Sequence, residues 1–161
     1  VMLRRFRIAP CLGCRRCDLG GKGKCFQAER DQSPPLFQML KSAPMVFFSA
    51  PIYYYHLPSI FKAFIDRGQC YYLRREAGDP ELLNLPERKA WCVLVAGRSK
   101  GEKLFEGSLL TLKYFLAPFN ITLADPMLVR GKDGPMDLVV DESLTRAIRE
   151  YGAAAWKDCK P

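Results

Sequence analysis

The sequence predicts an α/β protein built on a parallel sheet, and three observations carry that expectation. Short, continuous apolar runs rich in strand-forming residues recur at 44–51, 90–97 and 121–129. Stretches with apolar residues at helical spacing lie before, between and after them, at 33–42, 57–67, 103–119 and 141–159. Proline or glycine closes the first two runs, at Pro51 and Gly97. Strands that alternate with helices at this interval imply βαβ units. Uninterrupted apolar runs suit strands covered on both faces.

The elements follow in order. "VMLRRFRI" (1–8) is a candidate strand ahead of a cysteine-rich loop. In "SPPLFQMLKS" (33–42), Ser33 is a plausible cap, prolines occupy the first turn, and Leu36, Phe37 and Leu40 share a face. "PMVFFSAP" (44–51) is a buried strand, and "LPSIFKAFIDR" (57–67) is a helix with Ile60, Phe61, Phe64 and Ile65 at helical spacing. Residues 68–89 form a long polar connection, expected to be a lid or an interface. "AWCVLVAG" (90–97) is the next strand, and 103–119 is a helix carrying Phe105, Leu109, Leu112 and Leu116 on one stripe. A third strand at 121–129 and a terminal helix at 141–159 complete the chain. Ligands of such sheets bind outside the carboxyl ends of the strands, which directs attention to loops 9–32, 50–58 and 97–102.

A chain of 161 residues fits one domain, here 1–161 with the cysteine-rich loop at 10–30. The apolar stretch 43–65 is interrupted by Pro44, Pro51, Pro58, His56 and Lys62, so a strand, a loop and a helix explain it better than a membrane span. The first residues are basic where the apolar core of a secretory signal would lie, and the reading is a cytoplasmic protein. The net charge of +8 raises the possibility of nucleic acid as a partner. However, residues 1–30 hold six of that net charge, around the cysteines, and no helix interleaves basic and aromatic residues. Nucleic acid is therefore not the expected partner.

"PCLGCRRCDLGGKGKC" (10–25) places Cys11, Cys14, Cys17 and Cys25 in sixteen residues. Cytosolic reductants disfavour disulfides, so a cluster of this kind points to metal or redox chemistry. An iron–sulfur cluster, a zinc ion and four reduced thiols all remain open on the residues alone. Basic neighbours would offset the negative charge of four thiolates on a metal centre.

"SAPIYYYHLPSIFKAFIDR" (49–67) resembles the Ser-Pro-x-Tyr to Asp-Arg signature of the NADPH-dependent FMN reductase group of flavodoxin-like proteins. "IAPCLGCRRC" with the following "GKC" resembles the segment that precedes it in many members. Within that group, Cys-x2-Cys-x2-Cys-x7-Cys resembles the compact motif of the iron–sulfur flavoproteins. The resemblance implies a flavodoxin-like three-layer sandwich with a parallel sheet. It also implies an FMN-dependent oxidoreductase or electron-transfer flavoprotein that exchanges electrons with NAD(P)H, or with a small-molecule or protein donor or acceptor. By the same resemblance, Ala50, Pro51, Ile52, Tyr53 and Tyr54 pass along the flavin, and Gly97, Arg98 and Ser99 approach its pyrimidine side. Cys11, Cys14, Cys17 and Cys25 would hold a [4Fe-4S] cluster, with the glycines of 20–23 letting Cys25 reach the fourth iron. No catalytic side chain is implied. Lys62, Asp66 and Arg67 are expected to be structural, His56 to be a plain loop residue, and the assembly to be a homo-dimer or tetramer.

Members of the group begin with a strand, a phosphate-binding loop and a helix, and residues 1–10 show no counterpart. The expected fold is thus one that lacks the first strand, phosphate loop and first helix. Either the sequence is an N-terminally truncated version, or the core is rearranged, with strand 1–8 pairing directly with 44–51 or another subunit filling the gap. In either case weaker FMN binding is expected, because the phosphate loses its anchor. Two other readings compete: a zinc-stabilised binding module, and a structural relative that has lost its cofactor.

Overall fold

The computed structural model describes residues 1–18 and 23–159. Its parallel sheet is centred on β2 (Arg88–Ala96), with β1 (Val46–Pro51) on one side. On the other side lie β3 (Ile121–Leu123) and β4 (Met127–Arg130). The register runs from Val46↔Ala90 to Pro51↔Val95 across β1 and β2. The single third strand expected from 121–129 is two short ones, separated at Ala124-Asp125-Pro126, where proline cannot donate to a ladder. β2 is buried at nearly every position, as a central strand covered on both faces must be.

Helices cover both faces. Against one face pack α1 (Ser33–Ser42), α2 (Ser59–Arg67) and α5 (Glu106–Leu116), with a 3-10 turn at Ala117–Phe119. Phe37 of α1 is the hub of this layer, 4.4 Å from Phe64, 6.0 Å from Phe119 and 6.3 Å from Phe115 between ring centres. Such aromatic contacts each add about 1 kcal/mol beyond area burial. Phe48 points into the same layer, 5.3 Å from Phe61. Its neighbour Phe47 points the opposite way, where Tyr151 of α7 (Glu142–Asp158) meets it edge-on at 5.8 Å. α6 (Asp137–Val140) leads into α7, and the Asp141 side chain caps α7 by accepting from the Leu144 amide.

The connection at 68–89 is not a polar lid. It folds into α3 (Gln69–Glu76) and α4 (Pro80–Leu83), which add to the core. Leu82 is fully buried, and Tyr71 lies 4.6 Å from Phe37. The polar residues that suggested a lid form a network instead: Arg74 pairs with Asp79 and Glu81, and Glu81 pairs with Lys41 of α1.

Residues 1–8 do not form a strand and do not pair with β1. Leu3–Arg5 is a 3-10 turn, and the following segment is bound to the loop ahead of α1. The Arg7 amide donates to Gln32 Oε1 at 2.7 Å, the Gln32 amide donates back to the Arg7 carbonyl at 2.8 Å, and the Ala9 amide donates to Asp31 at 3.0 Å. Backbone groups that a ladder would need are used there.

Two buried arginines tie elements together. Arg88, at the start of β2, donates to the carbonyls of Leu40, Lys41, Ala43 and Phe119 at 2.8–3.0 Å. It thereby satisfies carbonyls that the ends of α1 and the 3-10 turn leave free. Arg67, the last residue of α2, pairs with the buried side chain of Asp31 and donates to the Ala9 carbonyl at 3.2 Å. Lys62 pairs with Asp66 along α2 at 2.5 Å. The expected structural role of Lys62, Asp66 and Arg67 takes this form, with Asp31 rather than Asp66 as the arginine's partner.

Candidate functional site

The loops after β1 and β2 lie side by side at the carboxyl end of the sheet. Ile52 extends β1 by donating its amide to the Val95 carbonyl at 2.7 Å. The chain then reverses between Tyr53 and His56, whose amides and carbonyls bond reciprocally at 2.9 and 3.0 Å. Tyr54 (φ +50°) and Tyr55 (φ +65°) occupy the two central positions, both left-handed. Turns of this geometry normally take Asn or Gly there. Two consecutive tyrosines cost about 1–3 kcal/mol each, strain that concentrates at functional sites.

The turn displays its rings to solvent. Tyr54 is fully exposed and Tyr53 is largely so, whereas Ala50 at the base is buried. Tyr55 faces the second loop: Arg98 donates to its hydroxyl at 3.3 Å, with the guanidinium 5.7 Å from the ring centre. Gly101 (φ +143°) allows this approach, since a Cβ there would sit 3.1 Å from the Tyr55 hydroxyl. The loop is anchored from the far side by the Gly131 amide, which donates to the Arg98 carbonyl at 3.2 Å. Arg130 also donates to the Gly101 carbonyl at 3.1 Å. Pro51, Gly97, Arg98 and Ser99 are exposed, and Ile52 is half-buried.

The structure therefore brings the two predicted flavin loops together, with Tyr55 and Arg98 as the contact between them. Tyr55 was not among the predicted site residues, although the Tyr53-Tyr54-Tyr55 run was the available signal. His56 is more than a plain loop residue: its Nε2 lies 3.0 Å from Thr111 Oγ1 and fixes the turn to α5. Aromatic faces, an arginine and exposed loop backbone suit a flat, electron-poor ring. On this chemistry the ring-binding side of an FMN site fits the residues present.

The cysteine loop is different. Cys11 and Cys14 are exposed, while Cys17 and Cys25 are half-buried. The Gly23 amide donates to the Cys17 carbonyl at 3.0 Å, bringing the two ends of the segment together. Burial raises the Cys17 thiol pKa, and the neighbouring Cys25, Cys11 and Cys14 raise it further. Even so, among the described residues no three His, Cys, Asp or Glu side chains are arranged to hold a metal ion. The thiols share a neighbourhood without forming a ligand set. The glycines expected to deliver Cys25, apart from Gly23, lie outside the described residues.

A fifth thiol escaped the sequence reading. Cys70 of α3 is buried in the neighbourhood of Cys25 and Cys17, and its thiol is pushed up to about 11 by burial and by those two neighbours. With Cys25 it lines a cleft of about 540 Å³ that also presents Arg16, Lys24, Arg67 and Arg74. Only the fold brings residue 70 to this loop, so spacing could not reveal it.

The chain belongs to the flavodoxin-like fold family, which matches residues 22–154. Among solved structures it is similar to a flavone reductase, at 18% identity with a TM-score of 0.54. That match covers 91% of this chain but 47% of the reductase, so the chain spans about half the length of its structural relative. No curated protein sequence matches it. No helix among the described residues is long and apolar enough to cross a membrane.

Proposed function

We propose that this chain is the flavin-binding part of an FMN-dependent oxidoreductase. The observation that carries the reading is the joining of the two loops through Arg98 and Tyr55, with Tyr53 and Tyr54 displayed beside them at the carboxyl end of a parallel sheet. Bound FMN would supply one- and two-electron exchange with NAD(P)H or a protein donor. Ala50, Pro51 and Ile52 then present backbone to the ring, and Tyr53 and Tyr54 cover it. Gly97, Arg98 and Ser99 meet its polar edge, where the Arg98 charge favours the reduced, anionic flavin. The protein positions and tunes, and no side chain acts as nucleophile or base. The exposed tyrosines also suit a homo-dimer or tetramer in which one copy shields the other's flavin, and the proposed location is the cytoplasm.

Sequence spacing alone supports a [4Fe-4S] cluster on Cys11, Cys14, Cys17 and Cys25, whose side chains are not arranged as a ligand set among the described residues, and no electron step is assigned to it. Anaerobic mixing of the FMN-loaded protein with NADPH or NADH tests the oxidoreductase reading. Bleaching of the flavin's visible absorbance faster than for free FMN is expected, and equal rates would overturn it. Iron analysis of protein purified without oxygen tests the cluster separately.

A further inference from the structure

A third loop meets the candidate flavin site. β4 runs parallel to β2, so residues 131–134 leave the sheet at the same carboxyl end as 97–99. The two segments are bonded side by side. The Gly131 amide donates to the Arg98 carbonyl at 3.2 Å, and the Lys132 amide donates to the Ala96 carbonyl at 3.3 Å. The next residue, Asp133, lays its side chain against Gly97. A Cβ on Gly97 would lie 2.9 Å from Asp133 Oδ1 and 3.1 Å from Asp133 Cβ, closer than side chains tolerate. Glycine at 97 is what permits this approach, and it sets the carboxyl group against the backbone that leads into Arg98.

The loop does not use that carboxylate to hold its shape. Asp137 accepts from the Asp133 and Gly134 amides at 2.8 and 2.9 Å, and Lys132 pairs with Asp141 at 2.8 Å. Arg98 turns to the Tyr55 hydroxyl instead of pairing with Asp133. The Asp133 carboxylate is left exposed, with no hydrogen-bond or ion-pair partner among the described residues.

We propose that Asp133 is the residue that reads the imide N–H of the flavin and so sets which rings the site accepts. The inference rests on the reading that Gly97, Arg98 and Ser99 meet the polar edge of the ring. That edge carries one N–H donor, at N3, between two carbonyl acceptors. A guanidinium only donates, so Arg98 suits the carbonyls. An ionised carboxylate only accepts, so Asp133 suits the N–H. A ring that lacks this N–H would leave the carboxylate desolvated and unpaired, and is therefore selected against.

The test compares FMN with FMN methylated at N3, each titrated into the wild type and into Asp133→Ala and followed by flavin fluorescence. Because Asp133 is exposed and unpartnered, the ligand-free variant should unfold at the wild-type Tm. The wild type should bind FMN about tenfold more tightly than the methylated ring. Asp133→Ala should weaken FMN binding about tenfold and bring the two ligands to equal affinity. Discrimination that survives in Asp133→Ala would assign the N3 acceptor to the backbone and overturn the proposal. Unchanged FMN affinity in that variant would overturn it too. Both of those results leave FMN bound to the wild type, so the flavin reading stands. A wild type that binds no FMN would overturn both.

Discussion

Asp31 is the residue on which most of the amino-terminal region depends. It accepts from the Ala9 and Ser33 amides and the Ser33 hydroxyl, and it pairs with the buried guanidinium of Arg67. Burial alone would raise its pKa, but the bonds from Ser33 and Ala9 and the Arg67 charge outweigh burial and hold the carboxyl below its ordinary range. A depressed carboxylate pKa stabilises the fold fully above the unfolded value of about 3.9, and that contribution is lost as pH falls through the folded value. Asp31→Asn should therefore cost about 3 kcal/mol near neutrality, because it leaves Arg67 buried without a counter-charge. It should also flatten the acid limb of a stability–pH curve measured by urea unfolding. Arg88 is the second such residue. Arg88→Met should lower stability by about 3 kcal/mol in the same assay, since four carbonyls lose their donor at once.

Among the elements, the Tyr53–His56 turn combines strain with display. Tyr54→Gly should raise stability by about 1 kcal/mol by relieving a left-handed tyrosine, and should weaken flavin binding in the same variant. Thermal unfolding with and without FMN separates the two effects. Elements were legible in the sequence where burial wrote a period into them. The continuous run of β2 and the Phe37, Phe64 and Phe115 faces of their helices are examples. Residues 1–8 carry strand-like composition, yet a strand needs a partner, and Arg7 and Ala9 bond to the loop before α1 instead. The helices α3 and α4 went unread because each is short and most of their buried contacts come from Cys70, Tyr71 and Leu82 alone. In the candidate site, motif spacing located both loops. The Tyr55–Arg98 contact and the meeting of Cys70 and Cys25 at one cleft are tertiary facts that no local pattern records.

At the scale of the molecule, a parallel sheet with helices on both faces positions two loops at the carboxyl ends of β1 and β2. Titration of FMN into the chain, followed by quenching of flavin fluorescence, tests the central claim most directly. The account predicts saturable quenching for the wild type and about tenfold weaker binding for Arg98→Ala, which removes both the charge and the contact between the loops. Absence of quenching, or equal affinity in Arg98→Ala, would contradict it.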